Sequence, residues 1–298
     1  MTDAIIVNGL YKSYGDFPAV KGISFNVEQG SFFAFLGPNG AGKSTTISIL
    51  CSLLPIDSGD VLILGKDPEE ARSEIGMVFQ DNKLDSKLTV RENLMVRGAM
   101  YGFDKEELKT RVETALRRSD SEEFADRYYS KLSGGQKRRA EIARAIIHDP
   151  KILMLDEPTA GLDPQTRKLI WNNIRDLKNQ GMTVFLTTHY MEEAADADDI
   201  VIIDKGEIVA HGTPSVLKEE YSSDYLEILP KDSERIITYL NEKGLRYTTR
   251  SDVLRISLDR TVDAIPIIEE LKDCIESFEV RTGTLDDAFI NITGGIDE

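Results

Sequence analysis

Residues Gly37, Pro38, Asn39, Gly40, Ala41, Gly42, Lys43 and Ser44 satisfy the spacing G-x4-G-K-[ST], a pattern whose chemistry is the cradling of phosphate oxygens. Glycines at 37, 40 and 42 let the backbone curl so that successive N–H groups point inward at an anion. Residues 31–36 ahead of the loop read as a buried strand. The segment from Lys43 through Leu50 reads as a helix whose positive end aims at the same charge. In such a loop Lys43 neutralises the β- and γ-phosphates and the Ser44 hydroxyl ligates Mg2+. A glycine-rich turn that binds nothing would need neither flanking element.

Two further clusters accompany it. The apolar run 152–155 ends in Asp156 and Glu157. Residues 151–155 read as another strand of the same sheet, with Asp156 at its carboxyl end holding Mg2+ directly or through water. Glu157 is then placed to polarise an attacking water as general base. The bland alternative is a pair of solvated acids. Pro158, which ends the strand, weighs against it. The other cluster is Leu132-Ser133-Gly134-Gly135-Gln136 (LSGGQ). Ser133 caps a helix over 134–148, whose stripe Ile142, Ala143, Ile146 and Ile147 stops before Pro150. Bare amides at Gly134 and Gly135 allow a γ-phosphate oxygen to approach closely. An ordinary capped helix does not explain the glycine pair, since each costs about 1 kcal/mol inside a helix.

Phosphate loop, LSGGQ and the Asp156-Glu157 strand, in that order, resemble the ATP-binding subunit of an ATP-binding-cassette (ABC) transporter over residues 5–213. Gly161-Leu162-Asp163 resembles the family's D-loop. The resemblance implies ATP and Mg2+ as ligands, with Thr45 joining the phosphate loop residues around ATP. Ser133, Gly134, Gly135 and Gln136 are implied to contact nucleotide held by a second subunit, so that two copies pack head to tail as a homodimer. Gln80, after the apolar residues 77–79, matches the Q-loop glutamine that senses Mg2+ and the attacking water. His189, within Thr187-Thr188-His189, matches the switch histidine at the γ-phosphate, although a lone histidine is more often structural. The implied catalytic set is Glu157, His189 and Gln80, and the implied metal set is Ser44, Gln80 and Asp156. Tyr14 matches the aromatic that stacks on adenine, with Tyr11 its rival.

Other signals carry less. Asn82-Lys83-Leu84-Asp85 formally matches a guanine-reading motif but precedes the Asp156 strand, and reads as coincidence. Lys137-Arg138-Arg139 reads as a solvated face or as support for the partner's nucleotide. Net charge of −16 argues against a nucleic-acid surface. Cys51 and Cys274 are few and far apart, and Cys51 reads as a reduced, buried thiol suited to a cytoplasm. No run approaches the ~18 apolar residues of a membrane span. A transporter engine of this kind therefore needs a separate permease and sits peripherally on the cytoplasmic face of the membrane.

The expected architecture is α/β. Residues 1–220 form a doubly wound sheet of the P-loop NTPase type with an antiparallel β subdomain and a helical lobe over about 81–150. Residues 221–298 form a small α+β domain, whose strand-helix-strand-strand-helix-strand order fits a ferredoxin-like unit. The tail 284–294 resembles that of drug- and antibiotic-exporting ABC ATPases, which work with ABC-2-type permeases; the substrate class implied is drug-like, antibiotic or lipid-like. Permease contact is expected around Leu84, Leu88, Leu94, Met95, Met100 and Tyr101, beside Gln80; the alternative, the commoner role for any single one of them, is that they form the lobe's own core. The competing class is a soluble ABC ATPase of repair or the ribosome; the long coiled-coil insertions, zinc cysteines or paired cassettes usual there are not visible.

Overall fold

The computed structural model describes residues 2–294. Its compact units divide between Thr213 and Pro214. In the first, β1 (Asp3–Tyr14) and β2 (Phe17–Glu28) form a long antiparallel hairpin. Then come β3 (Phe32–Leu36), α1 (Lys43–Leu50) and β4 (Ser58–Ile63), the last pairing antiparallel with β1. The chain continues through β5 (Ile75–Val78) into a lobe built from α2 (Val90–Ala99), α3 (Lys105–Arg118) and α4 (Gly134–Ile146). It returns through β6 (Ile152–Asp156), α5 (Pro164–Asn179), β7 (Thr183–Thr188), the short α6 (Met191–Ala194), β8 (Asp199–Asp204) and β9 (Glu207–Gly212).

Two sheets result, β2-β1-β4 and β5-β6-β7-β3-β8-β9, the larger parallel except for its edge strand β9. Every residue of β3, β6 and β7 is buried, and their apolar residues run consecutively rather than alternating, with polar Asp156, Thr187 and Thr188 at the carboxyl ends. Phe25 of β2 packs against Phe33, Phe35 and Phe185 with ring centroids 5.4 to 6.1 Å apart, joining both sheets in one core. The doubly wound sheet, antiparallel subdomain and helical lobe all match the sequence expectation. The hairpin runs further than the apolar residues of its two strands alone suggest. Lys12, which interrupts the apolar pattern, is buried by a 2.7 Å ion pair to Asp57 and does not end its strand.

The second unit begins with α7 (Pro214–Tyr221), which packs on α10 (Leu285–Ile292). That contact moves the boundary from the expected 220/221 to 213/214. Between them lie β10 (Asp224–Pro230), α8 (Ser233–Glu242), β11 (Tyr247–Arg250), β12 (Val253–Leu258), α9 (Ala264–Leu271) and β13 (Ile275–Arg281). The sheet order β11-β12-β10-β13, antiparallel throughout, is that of a ferredoxin-like unit. Alternation on β10 and β12 buries Leu226, Ile228, Leu254, Ile256 and Leu258 against Ile236, Leu240, Ile267 and Leu271 of α8 and α9.

Candidate functional site

The carboxyl ends of β3, β6 and β7 open onto one cleft of about 580 Å³. It is lined by Asn39, Gly40, Gly42, Lys43, Ser44 and Thr45 from the loop and helix after β3. Gln80 follows β5, Glu157 follows β6, and His189 follows β7. Tyr14 and Phe17, opposed across the β1–β2 turn, form the rim. Ten of the expected residues therefore converge from segments up to 175 positions apart. Tyr11 does not line this cleft, whereas Phe17, unforeseen from the sequence, does. Phe17 is 62% exposed and Tyr14 50%, an arrangement suited to receiving a flat ring.

The loop is held from outside. A Cβ on Gly37 would lie 2.3 Å from the Ile203 carbonyl oxygen, and one on Gly42, at φ +111°, would lie 2.6 Å from that of Ala19. Both positions thus exclude any side chain. Lys43 is buried and donates to the carbonyl oxygens of Gly37 (2.7 Å) and Pro38 (3.0 Å). Burial lowers its pKa, opposed by the charges of Glu157 and Asp156.

Asp156 lies beneath. Its Oδ1 accepts from Thr187 Oγ1 at 2.5 Å and from Ser44 Oγ at 3.5 Å. Burial raises its pKa, the Thr187 hydroxyl opposes that rise, and Glu157 adds to it. Glu157 Oε1 stands 3.7 Å from Lys43 Nζ and 3.2 Å from His189 Nδ1. Glu157 sits in the left-handed region at φ +45°, which costs a non-glycine residue about 1 kcal/mol or more. Its N–H donates to the Thr187 carbonyl oxygen at 3.0 Å, and its own carbonyl accepts from Ala160 N.

Ser133, Gly134, Gly135 and Gln136 do not line this cleft. They begin α4, where Ser133 and Gln136 form a reciprocal capping box. Own-chain packing also restricts the glycines: a Cβ on Gly135 would lie 2.3 Å from Thr166 Cγ2, and one on Gly134 3.1 Å from Leu162. The ligand argument is therefore not the only reason for the Gly-Gly pair.

Along its length, α4 grips the segment that carries Gln80. Arg138 donates to the carbonyl oxygens of Phe79 (2.6 Å) and Gln80 (3.0 Å), and Arg144 to that of Met77 (2.6 Å). Glu141, fully buried, accepts from the amides of Lys83 (2.6 Å) and Leu84 (3.0 Å) and pairs with Arg144 at 2.8 Å. This corrects two expectations. Arg138 is buried, and Arg139 pairs with Asp120 and Glu123, so neither belongs to an open basic face. Leu84 and Leu94 are core residues. Met100 and Tyr101 of the same set are exposed, and Val96, which was not among them, is exposed as well.

A sequence profile described as "ABC transporter" matches residues 20–160. Nod factor export ATP-binding protein I of Paraburkholderia xenovorans is 38% identical over 298 residues, covering 98% of this chain and 97% of its own. Linearmycin resistance ATP-binding protein LnrL of Bacillus subtilis is 44% identical over 218 residues, covering 72% of this chain and 70% of its own. Among solved structures, cbiO1 from Clostridium perfringens, part of the ABC transporter complex cbiONQ, aligns with TM-score 0.69 and 30% identity over 82% of this chain and 96% of that one. The dimeric ATP-binding cassette MJ0796 bound to ADP and Pi aligns with TM-score 0.63 and 30% identity over 70% and 98%. With its phosphate loop, paired acids and capped LSGGQ helix in place, the chain belongs to the ABC transporter family, as one of its ATP-binding, ATP-hydrolysing subunits.

Proposed function

We propose that this subunit drives an exporter, closing head to tail on a second copy with two ATP molecules between them. The carrying observation is the division of the motifs. Lys43, Ser44, Gln80, Glu157 and His189 share one cleft, while Ser133, Gly134, Gly135 and Gln136 at the start of α4 do not line it. The dimeric state of MJ0796 supports this reading.

Tyr14, assisted by Phe17, stacks on adenine. The loop amides and Lys43 hold the phosphates, and the start of the partner's α4 covers the γ-phosphate. Glu157 takes a proton from the attacking water, with His189 and Gln80 orienting water and γ-phosphate. The Ser44 hydroxyl, the Asp156 carboxylate and the Gln80 carboxamide are hard oxygen donors of the kind that suits Mg2+. Mg2+ held by these donors would supply neutralisation of the phosphate charge.

Relatives named for Nod factor export and linearmycin resistance support export of a drug-like, antibiotic or lipid-like molecule. Their match also weighs against a repair or ribosomal role. No helix among the described residues is long and apolar enough to cross a membrane, so the pore is assigned to a separate ABC-2-type permease and this subunit to the inner face of its membrane. Its contact lies on Val96 and Met100 rather than buried Leu84. Cysteines placed at Ser44 and Ser133 in a Glu157→Gln background test the composite site. ATP-dependent crosslinking between two polypeptides is expected, and its absence under trapped ATP overturns the dimer.

A further inference from the structure

Glu193 is a buried carboxylate, 3% exposed, on the short helix after His189. Among the described residues it has no ion-pair partner, and both its oxygens are taken by hydroxyls. Thr159 Oγ1 donates to Oε1, and Thr188 Oγ1 donates to Oε2. Both threonines are fully buried. Thr188 Oγ1 in turn accepts from Tyr190 N at 3.0 Å. Burying a carboxylate without a cation is unfavourable. An apolar residue at 193 would fill this space without that penalty.

What the carboxylate joins gives it a purpose. Thr159 lies two residues beyond Glu157, and Thr188 immediately precedes His189. Glu193 therefore ties, from behind, the two turns whose side chains face each other at 3.2 Å in the cleft. One of those turns holds Glu157 in its left-handed backbone conformation, which the surroundings must enforce. Resting on the reading of Glu157 as general base, we propose that Glu193 is a positioning residue for hydrolysis. Through Thr159 and Thr188 it fixes the spacing of Glu157 and His189, without itself touching ATP.

The test separates turnover from binding in the full-length chain. Thr159→Val, which keeps shape but removes the hydroxyl, and Glu193→Gln are expected to lower kcat about tenfold or more, since displacing a reacting group by ~1 Å can cost 10²-fold. Affinity for a non-hydrolysable ATP analogue, measured by calorimetry, is expected to change less than twofold, because the phosphate loop is untouched. Thr159→Ser is expected to restore kcat. The Glu193→Gln/Thr159→Val double variant should lose no more than the worse single one, as for residues acting as one unit. Parental kcat in Thr159→Val overturns the proposal. So does a parallel loss of kcat, analogue affinity and melting temperature that Thr159→Ser fails to restore. Should Glu193→Gln not fold, Thr159→Val and Thr188→Val decide. Glu157→Gln run alongside reports on the base itself: normal turnover there sinks that reading, whereas a dead Glu157→Gln beside a fully active Thr159→Val sinks only the clamp.

Discussion

The ammonium of Lys43 stands 3.7 Å from Glu157 Oε1, joining the phosphate loop to the carboxylate after β6. The two are expected to fail differently. Glu157→Gln keeps a side chain of the same shape and leaves Lys43 its carbonyl partners. Hydrolysis should fall by ~10²- to 10⁴-fold, the usual contribution of a general base, with analogue affinity retained. Lys43→Ala should weaken binding itself. Phosphate release and calorimetry on the same preparations check this split; equal turnover in Glu157→Gln and parent excludes the base assignment.

Gly135 offers a way to separate packing from ligand contact. Gly135→Ala places a methyl against Thr166 Cγ2, and the overpacking should destabilise by about 1–3 kcal/mol. Thr166→Ser removes that methyl group and should recover most of the stability in a urea titration. If ATP-dependent dimerisation stays impaired after stability returns, the bare amide serves the partner's nucleotide. Full recovery of both would leave the glycine a packing residue only.

Cys51, at the end of α1, is buried with its Sγ 3.7 Å from Met77 Sδ, and burial pushes its pKa up to about 12. The thiolate needed for alkylation is thus scarce at neutral pH. Native protein should resist iodoacetamide at pH 8, while unfolded protein reacts at both cysteines. Rapid native modification of Cys51, located by mass spectrometry, would contradict the packing around α1.

His211 Nε2 lies 2.7 Å from Asp199 Oδ2, a pairing that raises the histidine pKa. A raised folded pKa stabilises the charged form. The contribution is present in full below about 6.5, the ordinary value, and is lost as pH rises through the folded pKa. The pair is part-exposed, so the effect is small. Urea midpoints of parent and His211→Gln should differ more at pH 6 than at pH 8.5. An equal difference at both values would show that the pair contributes nothing through charge.

Most of the nucleotide cleft was legible because its parts are local in sequence. A glycine-rich turn between strand and helix and two acids at a strand end each declare their chemistry within ten residues, as does the serine-capped helix start outside the cleft. Features built by tertiary contact were not. Phe17 faces Tyr14 only because the β1–β2 hairpin runs further than its apolar residues suggest. Leu84 reads as surface until Glu141, 57 residues on, takes its amide and seals it in. Glu193 follows a helix start beside another glutamate, and nothing nearby marks it as the buried one. In the second unit, strict alternation on β10 and β12 made the strands plain, while the docking of α7 on α10 has no local signature.

The grip of α4 on the chain before α2 has a mechanical result. Arg138, Glu141 and Arg144 bind three carbonyls and two amides of residues 77–84, and each such charge-assisted bond is worth about 1.5–3 kcal/mol. Shearing the segment past the helix would break several together, so the two are expected to move as one body. A displacement at Gln80, whose carbonyl Arg138 holds, would thereby pass over only about 7 Å of helix to the serine-capped tip, and pressure at the tip would travel back by the same route.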